Sequence, residues 1–189
     1  MTPIISAKGL TKRYGRTVAV DSIDLEIPPG RIVGLVGPNG AGKTSALKAI
    51  LGLATYEGEL SVLGKDPSRQ RAALMEDVCF IADVAVLPRW IRVHQLIEIT
   101  EKLHPRFSRE KCMAYLAKTK ITENQKVKQL SKGMVAQLHL ALVMSIKASL
   151  LVLDEPPLGL DILYRKQFHS SLLKDYFDEE RTILITTHQ

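Results

Sequence analysis

Three stretches of the sequence predict an α/β protein built on a mostly parallel central sheet. The first, RIVGLVGPNGAGKT at residues 31–44, is an apolar run, then a glycine-rich turn, then the start of a helical pattern. The second, LLVLDE at 150–155, delivers two acids at the end of an apolar run, and the third, RTILITTH at 181–188, delivers a histidine in the same way. Short continuous apolar runs bounded by turn signals suit strands buried on both faces, the environment a parallel sheet provides.

The remaining elements follow in order. Residues 4–10 and 17–27 read as strands, with clean alternation in Ile23-Asp24-Leu25-Glu26-Ile27, and TKRYGRT between them reads as a turn carrying Tyr14. Pro28-Pro29-Gly30 closes the second strand. Residues 31–36 are expected to form a buried strand, and TSALKAIL a helix that stops at Gly52. EGELSVL at 57–63 resumes the strand pattern, DPSRQRAALM at 66–75 reads as a polar helix, and VCFIA at 78–82 as a short buried strand. No strand signal occurs between residues 91 and 128, so an inserted helical lobe over about 84–146 is expected, closing with an apolar helix that LSKGM at 130–134 opens. A last helix after DEPPLGLD carries Tyr164, Phe168, Leu172 and Tyr176 at four-residue spacing, a core stripe.

Composition bounds the function. The 189 residues suit one domain with a lobe inserted into it, and 46% hydrophobic with 24% charged residues is ordinary for a folded protein. Cys79 and Cys112 show no metal-type spacing and read as free thiols. There is no secretory signal pattern, and no apolar run long enough to span a bilayer; residues 138–153 come nearest but carry His139 and Lys147. A cytoplasmic location is expected. Net charge is +6, and residues 101–132 carry the imbalance, with nine Lys or Arg against three Glu. A solvated helical face accounts for that, and no nucleic-acid partner is expected.

The chemistry begins at Gly37, Gly42, Lys43 and Thr44, which fit the pattern G-x-x-x-x-G-K-[ST]. Glycines let successive backbone N–H groups turn inward toward phosphate oxygens, and a helix N-terminus adds its partial positive charge. Lys43 neutralises β- and γ-phosphates in this arrangement, and the Thr44 hydroxyl holds Mg²⁺. The chain is therefore expected to bind a nucleoside triphosphate. Asp154, at the tip of an apolar strand, suits support of a metal beside such a loop. Tyr14 is a candidate platform for a base, with ordinary packing as its alternative.

Phosphate loops occur in many nucleotide-binding proteins. What discriminates is LSKGM at 130–134, followed about 20 residues later by LLVLDEPPLGLD and then by ITTH. In this order and spacing the chain resembles the nucleotide-binding domain of the ATP-binding cassette (ABC) family over essentially its whole length. The resemblance implies a P-loop NTPase fold with an antiparallel β subdomain at the N-terminus and an inserted helical subdomain. It implies that Tyr14 stacks on adenine, and that Gly37, Pro38, Asn39, Gly40, Ala41, Gly42, Lys43, Thr44 and Ser45 wrap the phosphates of ATP. Asp154 resembles the acid that holds Mg²⁺ through water, Glu155 the carboxylate that polarises the attacking water, and His188 the histidine at the γ-phosphate. Ser131 and Gly133 match residues that face the nucleotide of a partner domain, and Asp161 matches the aspartate that signals between paired domains.

The implied activity is ATP hydrolysis that powers a separate membrane-spanning permease subunit, through closure and opening of a head-to-tail pair with a second nucleotide-binding domain, homo- or heterodimeric. The chain would then sit at the inner face of the membrane, docking through residues 83–90 and the helical lobe, with Trp90 as an anchor. The LSKGM variant is more similar to bacterial exporter ATPases than to importers. The alternative is an ABC ATPase that moves no solute, such as a cluster-assembly type. Three departures matter. Asp83 stands where the family has glutamine, a shorter and charged group still able to reach Mg²⁺ or its water. Lys132 and Met134 replace a glycine and a glutamine. The family also usually continues well past the equivalent of His188, so the C-terminal end is expected to be cut short.

Overall fold

The computed structural model describes residues 2–81, 87–155 and 181–188. In chain order these form β1 (Ile5–Tyr14), β2 (Thr17–Ile27), β3 (Ile32–Val36), α1 (Lys43–Ile50), β4 (Glu57–Val62), α2 (Arg71–Met75), β5 (Val78–Ile81), α3 (Val93–Leu103), α4 (Arg109–Leu116), α5 (Lys132–Met144), β6 (Leu150–Asp154) and β7 (Thr182–Thr187). A short 3-10 turn at Val127–Gln129 precedes α5. The chain divides into two compact units, one holding Met1–Phe80 with the described residues of Ala148–Pro156 and Asp178–Gln189, the other centred on Ile81–Lys147.

The first unit contains both sheets. A three-stranded antiparallel sheet runs β2-β1-β4, and a four-stranded sheet runs β3-β7-β6-β5, with β3 and β6 each parallel to β7. One core serves them: Ile5, Leu10 and Ile27 from the antiparallel sheet meet Leu47 and Ile50 of α1 and Leu150 and Val152 of β6. Every residue of β6 is buried, as the uninterrupted apolar run requires.

Three local expectations are corrected. Residues 31–36 do not form a buried strand. Every residue of β3 is exposed or half-exposed, Val36 by 68%, because β3 lies at the edge of its sheet among the described residues. Tyr14 is not in a turn but ends β1, since the hairpin closes over Gly15 and Arg16 with Tyr14 paired to Thr17. Residues 66–75 give a helix only from Arg71. The Asp66 carboxylate instead accepts from the Ser68 amide at 2.8 Å and the Tyr56 hydroxyl at 2.9 Å, which holds Asp66–Ser68 in a turn. Helix α1 does end as its glycine suggests. Gly52 adopts φ +64°, and the Leu53 amide reaches back to the Lys48 carbonyl at 2.7 Å.

The second unit has its own apolar core, in which Ile91, Val93 and Ile97 pack with Cys112, Leu116 and Leu138. Its α4 is capped by Ser108, and α5 by Ser131. Trp90, Ile99 and Leu103 remain exposed on it. No described helix is long and apolar enough to cross a membrane. The stripe from Tyr164 to Tyr176 lies outside the described residues.

Candidate functional site

The loop between β3 and α1 is built by backbone constraint. Gly42 adopts φ +88°, and a Cβ there would lie 2.0 Å from the Ala19 carbonyl oxygen, so no side chain fits. The Gly37 amide donates to the Thr187 carbonyl at 3.2 Å, which ties the start of the loop to the end of β7, and the Ala41 amide closes onto the Pro38 carbonyl at 3.1 Å. Pro38, Asn39, Gly40 and Ala41 are exposed, and Ser45 is half-buried in the first turn of α1. With glycine as its N-cap, α1 has no side-chain cap, so its first amides keep their donor capacity at the positive end of the helix dipole.

Lys43 turns back over this loop. Its side chain is 7% exposed; its ammonium donates to the Gly37 carbonyl at 2.7 Å and the Pro38 carbonyl at 3.0 Å, and stands 3.5 Å from Glu155 Oε1. A buried cation needs this density of oxygen partners. Thr44 extends its hydroxyl to the next strand but one, donating to Asp154 Oδ2 at 3.1 Å. Asp154 ends β6 and is buried. Glu155 follows in a left-handed backbone conformation, φ +46°, and its Oε2 lies 3.0 Å from His188 Nδ1, just past β7. Five side chains from the loop, β6 and β7 thus share one cluster at the carboxyl ends of parallel strands: Lys43, Thr44, Asp154, Glu155 and His188.

Tyr14 is 48% exposed at the end of β1, and one face of its ring carries the Lys12 ammonium, 4.7 Å from the centroid. Lys12 itself is buried and donates to Thr55 Oγ1 at 3.1 Å. Ser131 and Gly133 belong to the second unit. Ser131 Oγ accepts from the Met134 amide at 3.2 Å as the N-cap of α5, with Lys132 exposed beside it. Asp83 and Asp161 lie outside the described residues. Two contributors are missing from the sequence reading. Lys12 falls in TKRYGRT, which the sequence reads as a turn, and nothing there marks it as buried. Thr186, whose hydroxyl touches both Asp154 and Glu155, is one of three threonines in β7, and its residue type alone does not single it out.

A glycine-rich loop opening a helix with Lys-Thr, faced by an Asp-Glu pair at the end of a parallel strand one removed in the sheet, defines the P-loop NTPase class. Comparison with known proteins narrows the class. The model of the ABC transporter family matches residues 20–157. The chain is 33% identical along its whole length to the Nod factor export ATP-binding protein I of Cupriavidus metallidurans, spanning 64% of that protein. It is also 33% identical along its whole length to the bacitracin transport ATP-binding protein BcrA of Enterococcus faecalis, spanning 62% of it. Among solved structures, a putative ABC transporter ATP-binding protein from Pyrococcus furiosus superposes with TM-score 0.81 at 23% identity, covering 98% of this chain and 91% of that one, a likeness of fold. The chain belongs to the ABC transporter family of nucleotide-binding proteins. It spans less than two thirds of the length of these two curated relatives.

Proposed function

We propose that the chain is the ATP-binding and ATP-hydrolysing subunit of an ABC transporter, powering a separate membrane-spanning permease through head-to-tail pairing with a second nucleotide-binding domain. The observation that carries this reading is the cluster itself. Lys43 and the uncapped first turn of α1 provide positive charge for phosphates, and Glu155 provides a carboxylate beside them. Phosphoryl transfer needs little beyond such positioning and charge neutralisation. The names of the relatives, Nod factor export and bacitracin transport, support a transport role with export as its direction.

The donor set fits Mg²⁺. The Thr44 hydroxyl and Asp154 carboxylate, 3.1 Å apart, are hard oxygen donors. Among the described residues no three His, Cys, Asp or Glu converge into a metal cage. That suits an ion that keeps waters and takes phosphate oxygens for its other positions. When bound, Mg²⁺ would neutralise charge on the phosphates. The chain's own groups do the rest. Lys43 leaves Glu155 for the β- and γ-phosphates, Glu155 orients a water and takes its proton, and His188 Nδ1 fixes the Glu155 carboxylate from its other oxygen. Tyr14 offers its open ring face to adenine, and its Lys12-covered face is held by the cation.

Ser131 and Gly133 are read as the groups that complete the site of a partner domain, with Asp161 as the signalling residue and Asp83 as a residue near the metal. Residues 84–146 are read as an inserted subdomain that docks on the permease, with exposed Trp90 as an anchor. The location that follows is the cytoplasmic face of a membrane.

Glu155→Gln tests the reading. The variant keeps nucleotide affinity, turns over at least about 10²-fold more slowly, and accumulates a closed pair with ATP. Expressed with a tag in its native host and extracted in mild detergent, it co-purifies with a polytopic membrane protein in stoichiometric amount. Recovery with soluble partners alone would replace the transporter with an ABC ATPase that moves no solute.

A further inference from the structure

We propose that Thr186 is a positioning residue for ATP hydrolysis, a buried hydroxyl on β7 that aims both acids of the Asp154-Glu155 pair; the proposal rests on the ATPase reading above. Thr186 is fully buried and pairs with Asp154 in the parallel ladder of β6 and β7. Its hydroxyl donates to Asp154 Oδ1 at 2.6 Å and accepts from the Glu155 backbone amide at 3.0 Å. A hydroxyl has one hydrogen and two lone pairs, so these two roles are compatible and leave nothing buried unpaired.

Each bond has a separate consequence. The first is short, as expected for O–H donated to a carboxylate, and it fixes the Asp154 rotamer, in which Oδ2 and Oδ1 stand 3.1 and 3.3 Å from the Thr44 hydroxyl. The second acts on the backbone. Glu155 leaves β6 at φ +46°, a conformation unfavourable for a residue with a Cβ. The Thr186 oxygen accepts the amide at this bend and so holds the turn that points the Glu155 carboxylate between Lys43 Nζ at 3.5 Å and His188 Nδ1 at 3.0 Å. One hydroxyl therefore sets the angle between the acid on the metal side and the acid on the water side. A packing role predicts something different. Valine matches the shape of threonine without its hydroxyl, whereas serine keeps the hydroxyl and vacates the methyl volume.

The test is Mg·ATP turnover of the full chain carrying Thr186→Val, Thr186→Ser or Glu155→Gln. Thr186→Val is expected to lower kcat by about 10- to 100-fold with KM within about threefold of the parent, the range for losing a hydrogen bond to a charged group at a site that depends on orientation. Thr186→Ser is expected to restore kcat to within about threefold. Parent-like kcat in Thr186→Val overturns the proposal, and so does a Thr186→Ser variant as impaired as Thr186→Val. If Thr186→Val does not fold, Thr186→Ser decides: retained kcat supports the hydroxyl, and a loss of about tenfold or more in a folded protein overturns it. Absence of Mg·ATP turnover in the parent would instead overturn the ATPase reading, whereas turnover unaffected by Glu155→Gln would place the general base elsewhere. In either case the ratio of nucleotide affinities with and without Mg²⁺ still reports on Asp154. It should fall in Thr186→Val and not in Thr186→Ser, and an unchanged ratio overturns the positioning role.

Discussion

The two compact units hold their candidate site residues in opposite ways. In the first, the site groups grip one another: Lys43 reaches Glu155, Thr44 reaches Asp154, and Glu155 reaches His188. The strand ends that carry them are fixed by the β3-β7-β6 ladder, so the cluster is organised by the unit's own core. In the second unit, among the described residues, Ser131 bonds no further than its own helix, and Gly133 and exposed Lys132 stand in the first turn of that helix. The difference separates two kinds of sequence motif. On the proposed function, one encodes a nearly self-sufficient binding site, and the other a surface whose chemistry depends on the partner domain that meets it. Substitutions in the first should therefore act on the isolated chain, and substitutions in the second on a pair.

Lys43→Ala is expected to break the first half of that comparison most severely. Removing the ammonium takes away the cation proposed to face the phosphates and the brace on the Gly37 and Pro38 carbonyls. Two charge-assisted bonds at roughly 1.5–3 kcal/mol each place the loss of ATP affinity at about 10²-fold or more. Equilibrium binding of a fluorescent ATP analogue to the isolated chain measures it. Affinity within about threefold of the parent would mean that the loop backbone and helix dipole bind the phosphates without Lys43.

Ser131→Ala should separate the two units. Loss of the N-cap costs about 1 kcal/mol of stability, because the Met134 amide loses its acceptor. ATP affinity of the isolated chain should stay within about twofold, while turnover at concentrations that permit pairing falls about tenfold, if the hydroxyl's free hydrogen serves a partner's nucleotide. The pair of measurements is needed. A drop in affinity would place Ser131 in its own chain's site, and unchanged turnover would leave it as a cap and nothing more.

How much of this was legible in the sequence follows from what each signal encodes. The loop, β6 and β7 were readable because their motifs fix backbone path as well as residue type: only glycine fits against the Ala19 carbonyl at position 42, and the four apolar residues before Asp154 suit a strand buried on both faces. The edge position of β3 was not readable. Its apolar run specifies a strand, but which neighbours pair with it is decided by residues far away in the chain. Tyr14 was misplaced by the glycine after it, which signals a turn without saying how tight. Thr186 was invisible for a similar reason. A threonine is a good strand residue on propensity alone, and its value appears only when β6 sets Asp154 opposite it.

The cysteines give the finest probe of the contrast between the units, since each carries one. Burial pushes the Cys79 thiol up from an ordinary 9.0 to about 12, with Arg181 easing it slightly. Burial likewise pushes Cys112 up to about 11, opposed by the Ser145 hydroxyl and Arg109. Both thiols are acids whose folded-state value is raised, so above about pH 9 the unfolded chain releases protons that the folded chain keeps. The unfolded state then binds fewer protons, and stability falls as pH rises from about 9 toward the folded values. Urea melts at increasing pH should show the midpoint dropping, and the drop should be smaller in Cys79→Ala, whose thiol no longer contributes. Alkylation adds the regional information. Both thiols should resist modification at pH 8 in the folded chain, and saturating Mg·ATP should slow Cys79 more than Cys112, because a ligand protects the structure that binds it. Equal protection of both would mean that the two units open together, and that the phosphate-loop unit and the helical unit are one cooperative structure despite their separate cores.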